Sequence, residues 1–291
     1  MLSTKKLSLP CNLKNMEKSR YPKFIFDWVG GLILFAGYIV GSMIVGFAVL
    51  AAKFFFKIDV SQKPWFLMMG NALVFPLIIA FFDFFVVRPS TKMKLNFNFS
   101  TTNFSTYLLI FPMMFGMMLI GEFTTSLIPT TGLFFGYFYQ FFENLMKSVV
   151  EDPAVMIITT VFMAPIFEEI IFRGIIQKGM INNGVKPWKA IVISSFLFGL
   201  IHGNPWQFIG GILLGTVLGL VYYKTKSLLL PMLLHGFNNL CSSLLILFVQ
   251  KESFAEVFHL PEWMILLIGI FIFYVFFFLF TRKYRVHYAE A

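Results

Sequence analysis

"APIFEEIIFRGII", residues 164–176, places two carboxylates and a guanidinium inside a run that is otherwise apolar. Whether that run crosses a membrane decides how the whole chain is read. Of the 291 residues, 58% are hydrophobic, 13% are charged and 40 are phenylalanine. A soluble domain carries about 25% charged residues. At half that level the chain cannot cover a water-facing surface, so it is an all-α, polytopic transmembrane bundle. The net charge of +9 does not indicate nucleic acid, because the basic residues punctuate apolar runs and do not cluster on one module. Cys11 and Cys241 provide neither a disulfide framework nor a C-x-x-C metal pair.

A helix needs about 20 apolar residues to cross a hydrocarbon core of roughly 30 Å. Eight segments are expected to do so: 28–52, 65–87, 107–128, 154–178, 188–203, 205–223, 228–249 and 262–281. The fifth is short, and only Asn204-Pro205 divides it from the sixth. The first run is too long for a signal-peptide core and is read as a retained span. Residues 1–27 form a basic tail, and 28–291 form one membrane domain without a solenoid-type repeat.

Lysine and arginine positions set the sidedness. The N-terminal segment, the loops carrying Arg88, Lys178 and Lys224, and the C-terminal tail hold 17 of the 23 basic residues. The alternate loops hold Lys53, Lys57, Lys63, Lys147 and Lys251, against the acids Asp59, Glu143, Glu151, Asp152, Glu252, Glu256 and Glu262. Both termini are therefore expected in the cytoplasm. The aromatic stretch 133–151 is expected to lie along the outer interface and not across it.

Each charge at the centre of a membrane helix costs about 2.5–3.5 kcal/mol on insertion scales. Glu169 and Arg173 are four apart in the favourable order for an ion pair, which gives them a structural explanation. Glu168 lies about 100° round the helix, shares a face with Phe172, and has no such partner nearby. Pro165, three residues earlier, frees a carbonyl one turn back. Two further spans carry polar groups: "FLFGLIHG" with Phe198 and His202 four apart, and "PMLLHGFNNL" with His235 and Asn239 four apart. Counted from the cytoplasmic ends, Glu168, His202 and His235 lie about 15, 21 and 12 Å deep. All three fall within the core. Any one of these histidines or the asparagine, taken alone, reads most simply as an interhelical hydrogen-bond partner.

Glu168-Glu169-x-x-x-Arg173, Phe198-x-x-x-His202 and His235-x-x-x-Asn239, in that order on successive spans, resemble the CAAX-protease and bacteriocin-processing family of intramembrane proteases. The resemblance covers about residues 154–250 and includes type II CAAX prenyl endopeptidases and proteins similar to lysostaphin resistance protein A. It implies an endopeptidase acting on a peptide or membrane-anchored protein, in CAAX-type processing, bacteriocin or pheromone maturation, or self-immunity.

Peptide hydrolysis needs an activated water, donors for the developing oxyanion and a proton for the leaving amine. A carboxylate held away from bulk water is a stronger base. Glu168 beside His202 suits water activation, and His235 with Asn239 suits the oxyanion, as the resemblance also implies. Glu169 and Arg173 would then fix the helix that carries Glu168. Glu168, His202 and His235 are an acceptable zinc set. Using them as ligands, however, consumes the best base and donor, and no H-E-x-x-H is present. A glutamate-activated water without metal is the favoured reading. Cleavage is expected in the cytoplasmic half of the bilayer, and the phenylalanine, lysine, isoleucine and asparagine load points to a bacterial plasma membrane.

Two other classes compete with the protease. A non-catalytic membrane interaction protein would retain these residues for structure, and a proton-coupled transporter would use Glu168 as carrier. The halves show no internal symmetry to favour the transporter. Glu122, Asp83, His259 and His287 are not assigned to the site: Asp83 pairs with Arg88 at the inner edge, and the two histidines fall in a loop and a tail.

Overall fold

The computed structural model describes residues 21–61, 63–251 and 253–284. Most of the N-terminal basic tail, with Cys11, and the C-terminal Arg285 and His287 lie outside the described residues. The described residues are helical and contain no strand. The helices are α1 Trp28–Phe56, α2 Pro64–Thr91, α3 Phe104–Ser126, α4 Phe135–Val150 and α5 Pro153–Asn182. They continue with α6 Pro187–Leu200, α7 Pro205–Thr225, α8 Leu229–Val249, α9 Phe254–Phe258 and α10 Glu262–Lys283.

Seven of these are long and apolar enough to cross a membrane: α1, α2, α3, α5, α7, α8 and α10. The sequence predicts eight spans, and the difference is α6. At 14 residues it reaches only about 21 Å. It ends where Gly203 takes a left-handed φ of 68°, a conformation that suits glycine, and Asn204 caps α7 through the backbone N–H of Gln207 at 2.9 Å. α6 and α7 thus form an antiparallel hairpin, closely packed at Gly199, Gly211, Gly215 and Gly219.

Two apolar cores divide the bundle. One joins α1, α2, α5 and α6 through Phe82, Ile171, Phe172, Ile175 and Phe198. The other joins α3, α7, α8 and α10 through Met113, Leu218, Leu230, Leu234 and Phe280. Lipid tails are as apolar as leucine, so helix pairing here relies on close packing of small residues. A Cβ on Gly116 of α3 would come within 2.6 Å of the Phe273 nitrogen of α10. One on Gly199 of α6 would meet the Phe208 carbonyl of α7 at 2.5 Å.

α5 is not a regular α-helix. Residues Ile158–Met163 and Ile170–Gln177 wind as wider π-turns on either side of Ala164–Glu169. Such turns leave main-chain carbonyls available to neighbouring helices. Asp83 also sits at a π-turn, and it holds Arg88 at 2.7 Å as the sequence predicts. Glu122 instead caps α9, accepting the N–H groups of Phe254 and Ala255 at 2.9 Å each. The aromatic stretch 133–151 becomes α4, whose Tyr139 and Phe142 pack on Trp206 at the start of α7.

Candidate active site

The site forms where the two cores meet, between α5, α6 and α8. Glu168 and Glu169 close the regular α turn of α5 and are both buried. His235 of α8 lies between them. Its Nδ1 is 2.9 Å from Glu169 Oε1, and its Nε2 is 3.8 Å from Glu168 Oε2. A carboxylate only accepts, so Nδ1 carries the hydrogen and donates to Glu169. Nε2 is left facing Glu168. Glu168 Oε2 itself takes no hydrogen bond from any described residue.

This geometry departs from the helical wheel, which sends Glu168 and Glu169 to different faces. Neighbouring carboxylates converge because the imidazole is inserted between them and each reaches a different nitrogen. Glu169 does pair with Arg173, Nη1 to Oε1 at 2.9 Å, with both side chains fully buried. The same oxygen holds His235, so Glu169 joins the brace of α5 to the site itself. Arg173 spends Nη2 on the Gly215 carbonyl of α7 at 3.0 Å, and one turn on, Gln177 donates to the Gly219 carbonyl at 2.9 Å. Glycine keeps both approaches close. A Cβ would come within 3.2 Å of Arg173 Nη2 at 215 and 2.7 Å of Gln177 Oε1 at 219.

Phe198 is the common neighbour of the charged groups. The Arg173 guanidinium lies 4.6 Å from its ring centroid, and the rings of Phe172, His202 and His235 approach it edge-on at 5.3, 5.1 and 5.4 Å. His202 follows the last turn of α6, where Nδ1 lies 2.8 Å from the Phe198 carbonyl. That carbonyl accepts, so Nδ1 is the N–H and Nε2 again remains available. The two imidazoles therefore carry the same tautomer, each fixed by an acceptor at Nδ1.

Asn239 does not stand free as a donor. Its Nδ2 donates to the Thr160 carbonyl of α5 at 2.7 Å, while its Oδ1 accepts from Asn238 at 2.9 Å. Pro165 explains the first contact. In a π-turn the Thr160 carbonyl would pair with the N–H of residue 165, and proline has none. The amide retains one further N–H. Sequence reasoning missed this partner, as it missed Gln177 and Ser194, whose Oγ donates to the Phe172 carbonyl at 2.8 Å. The proline was the available signal. Among the described residues no group of three or more His, Cys, Asp or Glu side chains is placed to hold a metal ion. Glu168, His202 and His235 do not come together as such a set.

Residues 150–241 match the family model described as type II CAAX prenyl endopeptidase Rce1-like. The chain is similar to that family over this segment alone. The matched residues hold every residue of the site, while α1–α3 and α10 lie outside them. The family is one of proteases, and the matched segment sits in a chain with seven helices long and apolar enough to cross a membrane. Comparisons with curated proteins and with solved structures gave no match.

Proposed function

We propose that the chain is an intramembrane endopeptidase that hydrolyses a peptide bond in a peptide or membrane-associated protein. It would act in a bacterial plasma membrane with both termini in the cytoplasm. The observation that carries this reading is the convergence of Glu168 and Glu169 on opposite nitrogens of His235, within a segment matching a protease family.

Glu168 Oε2 and His235 Nε2, 3.8 Å apart, can each accept a hydrogen bond from one water. Glu168 takes a proton from that water as its oxygen attacks the scissile carbonyl carbon. The tetrahedral oxyanion is met by the remaining N–H of Asn239 and by Nε2 of an imidazole when protonated. Glu168 then returns the proton to the amide nitrogen, the C–N bond breaks, and an acid and an amine leave. Glu169 fixes the tautomer and ring plane of His235 and balances its charge. His202 supplies a second Nε2 for water or oxyanion. No step is routed through a metal.

In this reading His235 joins His202 as a partner of Glu168 in water activation. The test is Glu168→Gln in detergent-solubilised protein that still elutes as a single species. Cleavage of any substrate cut by the parent is expected to be lost, and retained cleavage removes Glu168 from the mechanism.

A further inference from the structure

The level of Glu168 separates two differently built halves of the bundle. Inward of it, polar side chains are sealed: Glu169, Arg173, Gln177 and Ser194 are 0% exposed and Ser195 is 1% exposed. Arg173, Gln177, Ser194 and Ser195 each donate to a main-chain carbonyl. Beneath the sealed half runs the segment 92–103. Its Leu95 N–H donates to Asp83, and its Asn98 carbonyl accepts the N–H of Leu228 at 2.7 Å. Its Ser100 carbonyl accepts Ser227 Oγ at 2.6 Å. The Phe97 ring fills the space that a Cβ on Gly174 would need, and Phe24 and Phe26 do the same at Gly179. A peptide reaching Glu168 from this side would have to break these part-buried hydrogen bonds, each worth about 0.5–1.5 kcal/mol.

Outward of Glu168 the same three helices are looser. His202, Asn238, Asn239 and Thr160 are part-exposed, and Gly203 and Ser242 are exposed, while Asn204 and Ser243 at the same end are buried and the Thr159 hydroxyl is enclosed. The α6–α7 turn stops short at this level, and the aromatic face of α4 rests on Trp206 beside it. Lysine and arginine placement puts the sealed half toward the cytoplasm.

We propose that the site is entered from the extracytoplasmic side, between the α6–α7 turn and α8. The substrate is then a peptide segment presented at the outer leaflet or outer surface, not a cytoplasmic C-terminus. This substrate class rests on the protease reading, whereas the route of entry does not. It also replaces the sequence expectation of cleavage in the cytoplasmic half, which came from helix depth alone.

The test uses the full chain in intact cells, with Cys11 and Cys241 changed to serine and one cysteine restored at a time. Lys63→Cys marks the outer side and Ser90→Cys the inner side. Asn238→Cys and Ser242→Cys report on the site. A membrane-impermeant maleimide added to intact cells is expected to label Lys63→Cys, Asn238→Cys and Ser242→Cys, and to label Ser90→Cys only after lysis. Asn238→Cys labelled only after lysis, or from neither side, overturns the proposal, as does a Lys63→Cys that reacts only after lysis. Repeating the labelling with Glu168→Gln keeps the two readings apart. Lost cleavage with labelling intact leaves entry standing, and lost labelling with cleavage intact refutes entry alone.

Discussion

Glu168 and Glu169 are adjacent, buried and chemically identical, yet their neutralisation should have opposite consequences. Glu169→Gln removes the charge that faces Arg173 Nη1 and His235 Nδ1, both at 2.9 Å, and leaves a fully buried guanidinium without its hydrogen-bonded counter-charge. Removing one partner of a buried ion pair costs about 3–5 kcal/mol. Glu168→Gln loses no protein hydrogen bond at Oε2, and its nearest basic nitrogen there is 3.8 Å away. Its cost should stay below about 1 kcal/mol, the size of one hydrogen bond. The difference of about 2–4 kcal/mol is roughly 30- to 900-fold in the folded-to-unfolded ratio. Thermal unfolding of both variants in one detergent, followed by size exclusion, reads it directly. Glu169→Gln should melt well below the parent, and Glu168→Gln should melt with it while losing cleavage. Equal melting losses in the two variants would refute the division of roles between the carboxylates.

Phe198→Ala removes the ring on which Arg173 and both imidazoles pack and should cost about 3–5 kcal/mol, measured as a fall in melting temperature together with lost cleavage. Gly219→Ala drives a methyl to 2.7 Å from Gln177 Oε1 and 3.0 Å from Ile191, for about 1–3 kcal/mol of destabilisation, and shortening Gln177 to alanine in the same chain should recover part of it. Asn239→Ala should lower kcat by about 10²–10³ if its second N–H meets the oxyanion; a loss under tenfold would confine it to holding the Thr160 carbonyl. Lys92 closes α2 with a left-handed φ of 59°, so Lys92→Gly should raise stability by about 1 kcal/mol, visible as a higher melting temperature with activity unchanged.

Local chemistry made much of this protein legible without coordinates. A charged fraction of 13% specifies the solvent, and apolar run length specifies which segments become helices. Both depend only on residues close in the chain, because a membrane helix satisfies its own main-chain hydrogen bonds. The Glu169–Arg173 pair is legible for the same reason, since four residues along one helix set its geometry. The polar residues of α5, α6 and α8 identify themselves by the cost of placing them in lipid.

Tertiary packing decided how those helices face one another. That His235 lies between two neighbouring glutamates depends on the rotation of α8 against α5, and no spacing within either helix encodes it. That Asn239 is held by Thr160 depends on a carbonyl freed by Pro165 and on Gly236 lying close to the Val161 carbonyl. That α6 stops short depends on a turn at Gly203 that Asn204 holds by donating to the His202 carbonyl. Hydrophobicity chooses helix and solvent but has no direction within a lipid, so registry and rotation are left to glycine contacts and to hydrogen bonds spanning 42 to 79 residues.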